Sequence, residues 1–589
     1  MVTSVAAVFV LRSGDALVFS SPLEVLVAEG VGDVLPVLRR VDEALRDGGW
    51  VAGMLAYEAA PAFDPALRTC LPGPLPLAWL AVYAAPRRMP LLDALGGLGA
   101  ATDQAADVAW TPSLDAASYA DRVARVRDAI ARGDTYQVNL TQRLRAPFSG
   151  SPQALFASLL AAQPVPHAAY LDLGDHAICS ASPELFFRRR GRLVVCRPMK
   201  GTAPRGRWPA EDARRAAALA ASPKERAENL MIVDMVRNDL GRVARAGTVV
   251  TRDLFSCERY ATLWQLTSTV TAQSDAPLSA VLAALFPSAS VTGAPKARTM
   301  ELIAALEGEP RGVYTGTIGW AGPGGRAHFN VAIRTVWIDR RRGIAEYGTG
   351  GGVTWDSDAA AEHAESRLKA SVLVQPRADF ELLETLRWSP VRGYVRLEGH
   401  LRRLAASARY FGFRRDGREW SALVDLARTL PPAPHRVRLR LARDGAVHVE
   451  AEPLAAAKHA PRKPRKRWRV ALASTPVDAA EPLLFHKTTR RALYDAARAA
   501  RPDCDDVLLW NERGELTEST IANLVVHIDG KLVTPPLECG LLPGVFRERL
   551  LARHRIAERV VRREDLLRAS GLWLVSSLRG WRACDVVKC

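Results

Sequence analysis

The sequence predicts a multidomain α/β protein, and three observations predict it. Its 589 residues exceed the roughly 250–300 at which a single hydrophobic core stops growing. Short β-like apolar runs alternate with stretches of helical spacing as far as about residue 370. The alternation then pauses at Gln375-Pro376-Arg377-Ala378 and restarts with Phe380-Glu381-Leu382-Leu383-Glu384-Thr385-Leu386, so a second domain begins there.

The elements follow in order. Val5–Leu11, Ala16–Phe19, Trp50–Tyr57 and Leu77–Tyr83 read as strands, with one helix near Val34–Arg46. Residues 101–109 are small and polar, a loop. Tyr119–Ala131 has helical spacing and ends at Gly133, after which Tyr136–Arg143 reads as a strand. Lys458 to Arg469 is a basic run, read as a solvated connector between two lobes of the second domain.

Composition narrows the function classes. Hydrophobic content of 48% with 24% charged residues is that of a soluble globular chain. No run spans a membrane, and the apolar N-terminal stretch is too short and lacks a cleavage pattern, so a cytoplasmic location is expected. The eight cysteines are scattered without metal or disulfide spacing and read as reduced thiols. A net charge of +17 is spread along the chain without a nucleic-acid-binding signature, which suits clefts for small anionic substrates instead.

Several motifs could carry chemistry. Arg197-Pro198-Met199-Lys200-Gly201-Thr202 sets a lysine between a proline-stiffened run and a glycine that permits close backbone approach. A lysine with its ordinary pKa of about 10.4 is almost wholly charged at neutral pH, so a nucleophilic Lys200 needs burial or neighbouring positive charge. Glu225 with Glu228, and Glu362 with Glu365, are each three residues apart and share a helical face; Lys369 follows Glu365 by one turn. Either pair could present two carboxylates to a hard cation such as Mg²⁺, or could be ordinary solvated charge. Glycine runs at 291–296, 314–319 and 348–353 would let backbone N–H groups approach an anion.

Together these fragments resemble the chorismate-utilising enzymes, over roughly residues 1–372. The resemblance rests on Gly133-Asp134-x-Tyr136-Gln137-Val138-Asn139, Ser182-Pro183-Glu184, the run Glu228–Arg242, Gly293-Ala294-Pro295-Lys296, Ile333-Arg334-Thr335 and Glu362-x-x-Glu365-x-x-x-Lys369. It implies a β-sandwich-type α/β fold and chorismate as substrate. Glu228 and Glu365 would hold Mg²⁺ against the ring carboxylate, with Glu225 and Glu362 in or near its shell. Arg334 and Tyr314 would grip the enolpyruvyl carboxylate, and Thr292, Gly350 and Gly352 would complete the cradle, with Lys369 and Gln137 also at the substrate. Glu184 would be the general acid for the departing 4-hydroxyl.

Two positions discriminate within that family. Relatives that add water carry a lysine base where this chain has Gln137, and a neutral amide cannot take a proton from water. Anthranilate synthases typically carry alanine where this chain has Lys200, whereas the aminodeoxychorismate synthase subunit carries Lys-Gly-Thr. The resemblance therefore implies attack by Lys200 at C2 and entry of ammonia at C4. One departure is Gln265-Leu266 where most relatives have His-Leu, which leaves Glu184 to carry the proton alone.

From Phe380 onward the chain resembles the fold-type IV pyridoxal-phosphate enzymes, a two-lobed fold shared by aminotransferases and aminodeoxychorismate lyase. The carrying residues include Glu384-Thr385-Leu386-Arg387, His400-Leu401-Arg402-Arg403-Leu404, Lys487-Thr488-Thr489-Arg490, Thr517–Asn523 and Leu542-Pro543-Gly544-Val545-Phe546-Arg547. By resemblance, Lys487 would bond to pyridoxal 5′-phosphate and shuttle the proton, and Glu518 would face the pyridine nitrogen. Arg403, with backbone N–H groups near Val545, Phe546, Ser576 and Ser577, would hold the phosphate. Phe546 stands where relatives often carry Thr or Met, so only a backbone contact is expected there.

The resemblances divide the chain into a chorismate-utilising domain (1–372), a linker (373–379) and a lyase-like domain (380–589). The fusion implies consecutive steps, amination of chorismate at C4 and then release of pyruvate to give 4-aminobenzoate, a folate precursor. No cysteine has the Gly-x-Cys-x-Gly setting of a glutamine amidotransferase, so ammonia would come free or from a separate glutaminase subunit. A homodimer through the second domain is compatible with the resemblance; nucleic-acid and membrane partners are not expected. The competing readings are an anthranilate synthase fused to an aminotransferase and a non-catalytic chorismate binder.

Overall fold

The computed structural model describes residues 5–96, 108–373, 379–454 and 467–587. Most of the expected small polar loop (101–107), the junction residues 374–378 and most of the basic run (458–466) lie outside them. The chain divides into two compact units, one of residues 1–204 and 216–378, the other of residues 205–215 and 379–589.

In the first unit the apolar runs form strands Val5–Val10, Asp15–Ser20, Trp50–Leu55 and Ala78–Tyr83, and the helices run Val31–Arg46 and Ala116–Ala131. Gln137–Pro147 is a strand, running four residues further toward the C-terminus than its alternation marked. Two ten-stranded sheets result. They share a core, because Phe9, Phe19, Ile178 and Trp337 of one sheet cluster with Met54, Trp79 and Ile318 of the other. This is the expected sandwich, closed by burying both inner faces.

The sheet ends position the chemistry. Met199–Pro204 is the terminal strand of one sheet, paired with Leu263–Gln273. In the other sheet Ile344–Val353 lies beside Gln137–Pro147, with Gly352 opposite Asn139 and Gly350 opposite Thr141. Helices Pro223–Gly241 and Ala359–Ala370 begin at side-chain caps, Ser222 accepting from the Glu225 amide and Asp358 from the Ala361 amide.

The second unit holds a four-stranded antiparallel sheet that includes Leu382–Ser389 and His435–Leu441, and an eight-stranded mixed sheet in which Trp468–Leu472 pairs in parallel with two neighbours. These two sheets are the two expected lobes. Residues 205–215 also belong to this unit. Trp208 stacks on Phe485 at 4.9 Å, the Tyr410 hydroxyl donates to the Gly206 carbonyl at 2.7 Å, and Tyr410 lies 4.4 Å from the His486 ring, next to Lys487. Among the described residues no helix is long and apolar enough to cross a membrane, and the described cysteines are free thiols.

Candidate active sites

The first unit holds a cavity of about 160 Å³ into which Lys200 projects. Local structure fixes the lysine. Gly201 has φ +98°, and a Cβ there would come within 3.1 Å of Leu266 Cδ1. The Asn229 amide donates to the Lys200 carbonyl at 3.0 Å and accepts from Ser268 at 2.6 Å, locking the strand that carries the lysine. At the other end of the side chain, a Cβ on Gly352 would lie 1.9 Å from Lys200 Nζ and 2.5 Å from Gln137 Nε2. Only glycine leaves room for the amine there.

Burial pulls the Lys200 pKa below the ordinary lysine value, and the Lys369 charge adds to that while Glu228, Glu365 and Glu362 oppose it. Glu225, Glu228, Glu362 and Glu365 all line the cavity. Burial, and then the charge of Glu228, raises Glu225; burial likewise raises Glu362, with Glu365 adding to it. Lys369 holds Glu365 below the usual range through a 2.8 Å contact and also donates to the Gly350 carbonyl at 2.9 Å.

Four glutamate side chains lining one cavity offer oxygen donors that suit a hard divalent cation, so the donor set fits Mg²⁺. Their spacing is open: among the described residues no three His, Cys, Asp or Glu groups converge closely enough to form a metal centre.

Across the cavity, burial pushes the Glu184 carboxyl up to about 7, against hydrogen bonds from Ser290 and the Met199 amide. Its Oε1 is buried without a hydrogen-bond partner. A carboxyl that keeps its proton near neutrality can donate it to a leaving group. Arg334, held at φ +50° and hydrogen-bonded to Gln163 Oε1, lines the cavity with Tyr314, whose hydroxyl burial raises to about 12. Gln265 also lines it and accepts from Thr202 Oγ1 at 3.2 Å.

In the second unit a cavity of about 200 Å³ surrounds Lys487, Glu518, Arg403, Val545, Phe546, Ser576 and Ser577. Burial, with the nearby charges of Arg403 and Arg491, lowers Lys487 to about 8. Burial raises Glu518 to about 7 while the Leu542 amide (3.2 Å) and the Tyr494 hydroxyl (3.1 Å) donate to it. Arg403 forks onto Glu384 at 2.9 and 2.7 Å. Against burial, Arg403 and His400 hold Glu384 down to about 2, so it stays charged and fixes the guanidinium.

These residues fit pyridoxal phosphate. A weakly basic amine, a carboxylate for a pyridinium, and the first N–H groups of helix Val545–Ala552 face one cavity, and Ser577 Oγ there is buried without a partner. The Phe546 side chain supplies no hydroxyl; its ring packs under the Arg396 guanidinium at 4.0 Å.

Residues 97–375 match the chorismate binding enzyme family, and residues 381–587 match the amino-transferase class IV family. The chain is 44% identical over 307 residues to an aminodeoxychorismate synthase of Streptomyces griseus, covering 51% of this chain and 41% of that protein. It is 41% identical over 295 residues to anthranilate synthase component 1 of Streptomyces coelicolor, covering 49% and 57%. Aminodeoxychorismate synthase component 1 of Escherichia coli is 41% identical over 259 residues, covering 44% and 57%. The chain spans about half the length of these curated relatives. Among solved structures, anthranilate synthase component I of Streptococcus pneumoniae shares the fold over 63% of this chain and 91% of its own, with TM-score 0.50 and 23% identity.

In both cavities most residues singled out from sequence come together. Two do not line the first cavity. Thr292 is fully buried and turns its hydroxyl to the Ser288 carbonyl at 3.1 Å, so it braces the turn rather than facing a ligand. Gln137 is also fully buried, its amide next to Lys200 Nζ across Gly352 and without hydrogen-bond partners. Lys224, Asn139 and Ser290 line the first cavity and Arg436, Arg491, Tyr494 and Arg579 the second, unforeseen from sequence. Lys224 could have been found: it precedes Glu225 on the helix whose carboxylates face the cavity.

Proposed function

We propose that the chain makes 4-aminobenzoate from chorismate in two steps, the first domain (1–372) aminating C4 and the second (380–589) releasing pyruvate. The observation that carries the first step is the Lys200 amine, made less basic by burial and seated against Gly352 in a carboxylate-lined cavity. Mg²⁺ held by Glu228 and Glu365, with Glu225 and Glu362 beside them, would neutralise the ring carboxylate and polarise the diene. Arg334 and Tyr314 bind the enolpyruvyl carboxylate. The neutral Lys200 amine forms a bond to C2 as the C4–O bond breaks, and Glu184 gives its proton so that water departs. Ammonia then bonds to C4, the C2–N bond breaks so that Lys200 leaves as the free amine, and the new C4 ammonium returns a proton to Glu184. Gln137, a neutral amide, cannot activate a competing water.

In the second domain, pyridoxal phosphate supplies an electron sink when bound. Arg403 and the backbone at Val545–Phe546 and Ser576–Ser577 hold its phosphate, Glu518 keeps the ring nitrogen protonated, and Lys487 moves the proton that aromatises the ring as pyruvate leaves. Ammonia comes from a separate glutaminase subunit, and the work is done in the cytoplasm by a dimer formed through this domain. Supplying chorismate, ammonium, Mg²⁺ and pyridoxal phosphate should yield equal amounts of 4-aminobenzoate and pyruvate. Anthranilate as product would replace the reading of the first domain; 4-amino-4-deoxychorismate accumulating without 4-aminobenzoate would sink that of the second.

A further inference from the structure

The second cavity carries more positive charge than a cofactor phosphate requires. Its charged lining consists of six arginines and Lys487 against one carboxylate, Glu518. Arg403 is committed to Glu384 and the phosphate end, and Arg491 donates to the Thr520 carbonyl at 2.6 Å while covering the Tyr494 ring. Two others converge from different lobes. Arg436 stands on strand His435–Leu441, on the face opposite the buried Val437 and Leu439, and Arg579 sits in the turn between strands Gly571–Ser576 and Gly580–Val586.

The Arg436 guanidinium is not fully satisfied by its own lobe. Arg436 is anchored at one end by Glu452 on the adjacent strand, at 2.7 Å, but its Nε is buried without a hydrogen-bond partner. The Arg579 guanidinium lies over the Trp468 ring at 5.7 Å. Burial, and then the charge of Arg436, lowers the Arg579 pKa. Two guanidiniums lining one cavity, one of them with an unpaired buried Nε, form a site for a planar anion.

We propose that Arg436 and Arg579 bind a carboxylate of the substrate remote from its reacting amine, selecting amines that carry two carboxylates over simple monocarboxylate amino acids. The inference rests on the second domain acting on 4-amino-4-deoxychorismate, whose amine and two carboxylates lie at separate positions. The pair is specificity-determining: it acts by binding and takes no proton.

The test uses the full chain loaded with pyridoxal phosphate. In R436Q and R579Q, KM for 4-amino-4-deoxychorismate should rise roughly tenfold or more, the loss expected for a charge-assisted hydrogen bond. The kcat should stay within about threefold and the visible band of the bound cofactor should be unchanged; R436K should recover part of the KM. An unaltered KM overturns the proposal, as does loss of the cofactor band in step with activity. If the wild-type chain releases no pyruvate, the lyase reading fails separately. The subsite is then read by isophthalate, a dicarboxylate, which should shift the cofactor band more strongly than benzoate in wild type and not in the double variant; equal shifts in both proteins overturn it.

Discussion

Lys200 and Lys487 are alike as isolated groups and opposite in their surroundings. Both are amines whose pKa is lowered chiefly by burial. Around Lys200 stand five carboxylates, Glu184, Glu225, Glu228, Glu362 and Glu365, whereas around Lys487 stand six arginines and the single carboxylate Glu518. Burial is the main cause that leaves each lysine a free lone pair; the sign of the surrounding charge decides what it works with. A carboxylate-rich cavity calls for a metal cation before an anionic substrate can enter, and an arginine-rich one for a phosphate and carboxylates.

The largest effects should come from separating the two lysines. Lys200→Ala should lower formation of 4-amino-4-deoxychorismate on the order of 10³-fold or more while leaving pyruvate release from added 4-amino-4-deoxychorismate intact; Lys487→Ala should do the reverse. Both activities falling together in either variant would break the contrast.

Removing divalent cations should be nearly as selective. Several kcal/mol of Lewis-acid stabilisation corresponds to about 10²-fold or more, so a chelator should suppress amination and spare the second reaction, with Mg²⁺ restoring the first. Equal sensitivity of the two reactions would mean that the four glutamates do not distinguish the cavities.

A smaller and graded effect concerns pH. Glu184 must be protonated to act as an acid and its carboxyl is raised to about 7, so amination should fall as pH rises through about 7. Lys200 must be neutral, which opposes this with a limb that rises with pH. In Glu184→Gln the rate should drop about 10²–10⁴-fold and the alkaline fall should disappear. An unchanged alkaline limb in that variant would assign the fall to another group.

What could be read from sequence, and what could not, follows the same division. The residues that must approach one another closely sit in short ordered motifs: Lys200 before Gly201, the glutamates at helical spacing, Lys487 ahead of Thr488, Glu518 before the strand Asn523–Ile528. Residues whose role depends on register were hidden. Arg436 differs from Arg440 only in which partner it meets, since Arg440 pairs with Glu381 at 2.9 Å and Arg436 keeps a free Nε beside the cavity. In a chain with 80 lysines and arginines, no local pattern marks that difference. Thr292 misled for a related reason, because its hydroxyl satisfies a buried carbonyl four residues back and no spacing rule announces it. The membership of residues 205–215 in the second unit was equally unreadable, since Trp208 meets Phe485 across 277 positions of sequence, from 208 to 485.

The most direct test of the central claim is to treat the full chain with chorismate and Mg²⁺ in the absence of ammonium and measure the mass of the peptide that contains Lys200. The account predicts a gain equal to chorismate less one water on that peptide, absent in Lys200→Ala and discharged by added ammonium. Turnover to 4-amino-4-deoxychorismate with no such adduct on Lys200, or with undiminished turnover in Lys200→Ala, would contradict it.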